Sequence, residues 1–254
     1  MALIGGNLSR EQALSLTGRF LAERFADADF AFLAGSIMHG AGTPSSDIDL
    51  VVLHSAVPYA HRQSQLFEGM PFEAFVHDDG TLRWFLEADV KAGLPVLIRM
   101  VVEGMVVGPR PQRAEALRSE AATLLAKGPP PLGQDQLDRM RYGISSLLED
   151  LGDERPDFEQ VAIGAALYQA LGDFILRANG HWSGSGKWLP RQLMAYDETV
   201  GSAFTAAFDT LFRDRDVNPA LELAERVLTP YGGFLFDGYR ADAPAEWRRE
   251  ELDV

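Results

Sequence analysis

Asp47 and Asp49 stand two residues apart at the head of an apolar run, Ile48 to Leu53, that reads as a β-strand. Side chains at i and i+2 of a strand point to one face, and Ile48 and Leu50 point to the other. Two carboxylates held this close repel unless a cation lies between them. Mg²⁺ answers that need, because it takes oxygen ligands and is commonly held by one or two carboxylates together with substrate phosphates. A second feature lies upstream. Gly35 and Ser36 follow the short apolar run Phe30 to Leu33. A helix starting there would aim backbone N–H groups at a phosphate, and the Ser36 hydroxyl would add a donor. Glycine would let the backbone come close. The third feature is Glu73 in Pro71-Phe-Glu-Ala-Phe-Val-His77, with Phe75 and His77 on its own face. If this strand lies in register beside the Asp strand, the three acids converge. Glu73 would then be placed to accept a hydroxyl proton as general base. Taken singly, each feature has an ordinary structural reading: an exposed strand end, a turn, a rim residue. Their order along one short segment favours the chemical one.

These residues need elements to position them. Ser9 is a helix N-cap, and apolar residues at helical spacing predict a helix over about 10–25. Strands are expected at 30–33 and 48–53, separated by a Gly-, Pro- and Ser-rich loop over 39–46 in which His39 reads as a bystander. A hairpin follows, with strands over 63–67 and 71–77 and a turn at Glu68-Gly69. Helices over 81–92 and 95–102, a short strand at 105–107 and a helix over 110–127 complete the first half. Gly128-Pro129-Pro130-Pro131 then breaks the chain. The remainder reads as helices at about 134–152, 157–179, 187–196, 199–213 and 218–229. In the second of these, Val161, Ala162, Ala165, Leu171, Phe174 and Ile175 are expected to form one apolar face. The division predicts two domains, 1–127 and 128–254, with a charged tail from Ala241 onward.

Composition narrows the function classes. The chain has 254 residues, 46% hydrophobic and 24% charged, as expected of a globular protein. Its net charge is −14, and Arg110, Arg113 and Arg118 are interspersed with Glu115 and Glu120, so no basic stripe points to a nucleic-acid partner. The acidity has an ordinary reading, solubility, and a functional one, a cleft tuned to a cationic acceptor such as an amino sugar. No run of about 18 uninterrupted apolar residues points to a membrane, and Met1 to Arg10 does not read as a secretory signal. The absence of cysteine excludes disulfides and thiolate metal sites and fits a cytoplasmic location.

The segment Gly35-Ser36, eleven residues to Asp47, then Asp47-Ile48-Asp49, resembles the nucleotidyltransferase domain of the DNA polymerase β superfamily. The run Ser46-Asp47-Ile48-Asp49-Leu50 and the loop length are similar to those of bacterial aminoglycoside nucleotidyltransferases that adenylylate streptomycin and spectinomycin. In that group a later strand carries a Glu as proposed base, and Glu73 looks like its counterpart. The resemblance covers roughly residues 30 to 80. It implies an α+β protein: an N-terminal polymerase-β-like domain with a small mixed sheet and helices, followed by a C-terminal helical bundle that selects the acceptor. It further implies a pair of Mg²⁺ ions on Asp47 and Asp49, ATP as co-substrate with Gly35, Ser36 and Ser46 beside it, and Glu73 as base. AMP would pass to a hydroxyl of a small molecule, with release of pyrophosphate. In the helical half, Lys187 and Arg191 share a face at a helix start and are candidates for phosphate. Trp188 is a candidate for stacking on a ligand ring, with core packing an equal reading, and Tyr231 and Tyr239 are weaker candidates for contacting the nucleotide or the acceptor. Two other readings stand beside this one: a protein-modifying adenylyltransferase of antitoxin type, and a non-catalytic nucleotide-binding relative. The long helical half argues against the first. The retention of three acids argues against the second.

Overall fold

The structure is a computed structural model describing residues 8–243 apart from 41, 44 and 45. Most of the N-terminal and C-terminal segments discussed above, and the side chain of His39, lie outside the described residues. The chain divides into two compact units, Met1–Pro130 and Pro131–Val254.

The first unit is a five-stranded mixed sheet with helices on both faces. Helix α1 (Arg10–Arg24) begins at Ser9, whose hydroxyl accepts from the Gln12 backbone while the Gln12 side chain accepts from the Ser9 N–H. The strands are β1 (Phe30–Ala34), β2 (Ile48–Leu53), β3 (His61–Phe67), β4 (Met70–His77) and β5 (Met105–Val107), in the order β3-β4-β2-β1-β5. β2 and β4 are parallel, and the other neighbours are antiparallel. The hairpin turn has φ of 48° at Glu68 and 80° at Gly69. Two positive φ values in a two-residue loop match the right-handed twist of the flanking strands. That turn fixes the pairing of β3 with β4, including Ser64 opposite Glu73 and Arg62 opposite Phe75.

Alternation sorts the sheet into two faces. Ile48, Leu50, Val52, Phe72, Ala74 and Val76 are buried with Phe20 and Leu16 of α1. Phe20 stacks on Phe72 with ring centroids 4.1 Å apart. The opposite face carries Phe30, Phe32, Val51 and Leu53, all fully buried. There α3 (Val96–Glu103) packs on β1 and β2, and α2 (Asp79–Ala92) packs on β4. Asp49 and Glu73 belong to this second face.

Two helix starts differ from expectation. α2 begins at Asp79, two residues early, because Asp78 caps it by accepting from Thr81 N at 2.8 Å while the Thr81 hydroxyl accepts from Asp78 N. α4 (Ala114–Lys127) begins four residues late, after a 3₁₀ turn at Pro111–Arg113. Arg110 precedes a proline, which disfavours helical geometry. Its Nε also donates to the buried Asp29 at 2.5 Å, and Arg113 binds the same carboxylate. Burial opposes the charge on Asp29, but the two guanidiniums outweigh it and hold the carboxyl below its usual range.

His77 ends β4, is 3% exposed, and packs edge-on against Phe85 at 5.1 Å. Burial pushes its imidazole down from 6.5 to about 4, against a raising effect from Asp78. The unfolded chain therefore takes a proton below 6.5 that the folded chain refuses until about 4. The stabilisation His77 contributes by being neutral is complete above 6.5 and drains away as pH falls toward 4. Asp89 works the other way in nearly the same window. Burial raises its carboxyl to about 6, although it accepts the Leu97 and Ile98 N–H groups at the start of α3. A variant comparison isolates the histidine. In urea titrations at pH 7 and pH 4, the stability gap between the protein and His77→Gln should change by up to ~3 kcal/mol, to the disadvantage of the histidine form in acid. An unchanged gap would contradict the assignment.

The second unit is helical: α5 (Gln134–Gly152), α6 (Asp157–Ala178), α7 (Trp188–Tyr196), α8 (Glu198–Asp214) and α9 (Asn218–Leu228). Its core includes Ile144, Leu148, Leu167, Leu171, Phe174, Phe204 and Phe208. The face expected on α6 is only half right. Val161, Ala162 and Ala165 are exposed, and Gly164 and Leu167 are buried in their place. At 3.6 residues per turn, Ala162 and Ala165 lie roughly 120–180° around the helix from Leu171. α6 has the length and mean hydropathy (1.3) to cross a bilayer, but 44% of that window is buried inside the protein. After α9 the chain folds back over α5. Buried Arg141 donates to the Gly233 carbonyl at 3.0 and 3.1 Å, Leu235 N donates to Ser145 Oγ at 2.9 Å, and Tyr239 stacks on Tyr142 at 4.0 Å.

Candidate metal centre

The parallel pairing of β2 with β4 sets Asp49 directly beside Glu73. On its other side Asp49 pairs with Ala34 at the end of β1. Asp47 lies just ahead of β2 rather than within it, yet its carboxylate joins the group. Each of Asp47, Asp49 and Glu73 offers one oxygen within 4.8 Å of the others, and all three are part-buried. The expected convergence is therefore present. Three carboxylate oxygens at that spacing are a hard, oxygen-only donor set of the kind Mg²⁺ or Mn²⁺ takes. Their part-burial leaves them within reach of solvent.

Gly35 forms the floor of the group. Its φ of 91° and ψ of 178° lie in a region that is essentially closed to residues with a Cβ. Space closes it as well. A Cβ there would overlap Asp49 Oδ2 and lie 3.2 Å from Asp49 Cγ. The glycine thus lets the end of β1 pass beneath the Asp49 carboxylate.

The helix expected to begin here is replaced by a four-residue 3₁₀ turn, Ser36–His39, closed by Gly40 at φ 69°. The reason is local: Gly35 and Gly40 reverse the chain at both ends, and Met38 N already bonds Gly35 O at 3.2 Å. So short a turn has little macrodipole, and anion binding would fall to individual N–H and hydroxyl groups. Two of those hydroxyls clasp the loop ends. Ser36 Oγ and Ser46 Oγ are 3.0 Å apart, and Ser46 Oγ accepts from Thr43 N at 2.8 Å. The clasp holds the approach to Asp47 against the end of β1.

Sequence reasoning missed Arg62 and Ser64. Both lie on β3, where the guanidinium of Arg62 and the hydroxyl of Ser64 (3.4 Å) donate to Glu73 Oε1. The signal was present in the two-residue turn at Glu68-Gly69, which by itself makes 64 the partner of 73.

The remaining candidates belong to the second unit. Lys187 is the exposed residue preceding α7, and the guanidinium of Arg191, one turn on, lies 4.9 Å from the Trp188 ring centroid. Trp188 is 39% exposed, so it is not core. Tyr231 packs edge-on against Phe174 at 5.1 Å, with its hydroxyl 3.5 Å from Asn179 Oδ1.

No protein-family model and no curated protein matches the chain. Among solved structures, a nucleotidyltransferase-like protein from Exiguobacterium sibiricum is similar, with a TM-score of 0.43 and 12% identity over 85% of this chain and 74% of that one. What the chain itself presents is an α+β architecture in which a mixed sheet gathers three acids beside Gly35, where a Cβ would overlap Asp49 Oδ2.

Proposed function

We propose that the protein is a Mg²⁺-dependent nucleotidyltransferase that moves AMP from ATP to a hydroxyl of a small, cationic acceptor of the aminoglycoside kind. The observation that carries this reading is the approach of the Asp47, Asp49 and Glu73 carboxylates to within 4.8 Å of one another on adjoining strands. Asp47 and Asp49 would hold the metal, which supplies charge neutralisation for the triphosphate. Gly35 brings the backbone close to that charge, and the Ser36 and Ser46 hydroxyls sit at the same edge as donors for phosphate oxygens. Glu73 takes the proton from the acceptor hydroxyl. The freed oxygen forms a bond to the α-phosphorus, and the bond from that phosphorus to the bridging oxygen breaks, releasing pyrophosphate. Positioning and electrostatics account for most of such a rate enhancement. In the second unit, Lys187, Arg191 and Tyr231 are offered as further nucleotide contacts.

The test is direct. The purified chain is incubated with ATP labelled at the α-phosphate, Mg²⁺, and streptomycin or spectinomycin. Label should move to the acceptor, pyrophosphate should appear, and EDTA should stop both. Glu73→Gln should keep nucleotide binding and slow transfer by about 10²- to 10⁴-fold, the usual range for a lost general base. Full activity in that variant would reassign the base. Label on a co-purified protein instead of the drug would favour a protein-modifying enzyme.

A further inference from the structure

We infer that Arg62 decides the role of Glu73, holding it as the proton acceptor and keeping it out of the cation's coordination sphere. The inference rests on the site reading above and concerns residues outside the motif that suggested it. Three acids lie within reach of one ion, yet their surroundings differ. Glu73 receives the Arg62 guanidinium and the Ser64 hydroxyl, both on Oε1. Neither donor binds Oε2. One oxygen of the carboxylate is thus occupied, and the other is left to accept a proton.

Arg62 is itself held in place. It projects from β3 opposite Phe75, and its guanidinium carbon lies 5.1 Å from the centroid of that ring. Phe75 follows Glu73 on the same face of β4. The arginine therefore spans two successive side chains of that strand, packed on one and bonded to the other. Its side chain is 59% exposed, whereas that of Glu73 is only 17% exposed. The guanidinium thus brings a compensating charge to a carboxylate that water reaches poorly. A cation arriving at Asp47 and Asp49 meets a third acid whose charge is already offset. Without the arginine, Glu73 would turn to the ion and become a ligand.

This can be read from the metal alone, without an acceptor. Mn²⁺ binding to the full chain is measured by calorimetry and by loss of the free-ion spin-resonance signal. The series is the unaltered protein, Arg62→Gln, Glu73→Gln and the double variant, with circular dichroism confirming that each folds. Arg62→Gln should tighten Mn²⁺ about tenfold, within the range of coupling energies between contacting charged residues. Glu73→Gln leaves the Arg62 charge unpaired beside the site and should weaken Mn²⁺ by no more than a few-fold, and adding Arg62→Gln to it should bring the affinity back to that of the unaltered protein and no further. A double variant that binds Mn²⁺ as tightly as Arg62→Gln alone would mean that the arginine acts only as a distant charge, and would overturn the inference. Marked weakening by Glu73→Gln that Arg62→Gln does not reverse would show Glu73 already ligating, overturning the inference while leaving the metal site intact. No Mn²⁺ binding by the unaltered protein would remove the site and the inference together.

Discussion

Asp49→Asn should lower Mg²⁺-dependent transfer by about 10³-fold or more, the scale on which a group that organises transition-state charge is missed, and the protein should still fold. Asparagine has the same shape as aspartate, so β2 keeps its packing. Ile48 and Leu50 on either side remain fully buried against α1. What changes is charge. One of the three acids that lie within 4.8 Å of each other becomes neutral. In EDTA that relieves repulsion, so the variant should melt at the same temperature as the parent or slightly above it. Added Mg²⁺ should raise the parent's melting temperature and leave the variant's where it is, because only a state that binds ligand is stabilised by it. Paired thermal melts and turnover assays check both halves. Undiminished turnover would remove the site.

Gly35→Ala should fail in a different way, losing stability as well as activity. The backbone at Gly35 has φ 91° and ψ 178°, where a Cβ costs about 1–3 kcal/mol. In addition, the new methyl group would overlap Asp49 Oδ2. Either the turn or the carboxylate must shift. If the carboxylate moves, transfer should fall by about 10²-fold, less than in Asp49→Asn, the usual loss when a catalytic group is misplaced by about 1 Å. Urea titration should show the stability loss, which Asp49→Asn lacks. The contrast separates geometry from charge at one spot. An alanine variant as stable and as active as the parent would show that the turn relaxes freely and that Gly35 does not support the acid.

Much of this was legible in the sequence. The Ser9 cap, the Ile48–Leu53 strand and the Glu68-Gly69 turn are local features, set by propensity, alternation and the need for positive φ. The Asp-x-Asp spacing places two carboxylates together within one short segment, and that too is local. Non-local competition was harder to read. The late start of α4 depends on Asp29, more than eighty residues upstream, drawing Arg110 and Arg113 to itself. The buried face of α6 depends on which neighbours α7 and α8 present, and several apolar residues at helical spacing proved to face outward.

The sequence by itself determined that two aspartates share a strand end, that a glycine and a serine precede them by a short loop, and that a glutamate follows in a hairpin. Those are properties of neighbours along the chain, where backbone periodicity decides which way a side chain points. Only the tertiary structure decided that β4 lies parallel to β2 with residue 73 level with residue 49, that Gly35 runs beneath Asp49, and that Arg62 grips Glu73. Strand pairing across the sheet is chosen by burial of the whole α1-facing core, a sum over many residues that no single motif carries.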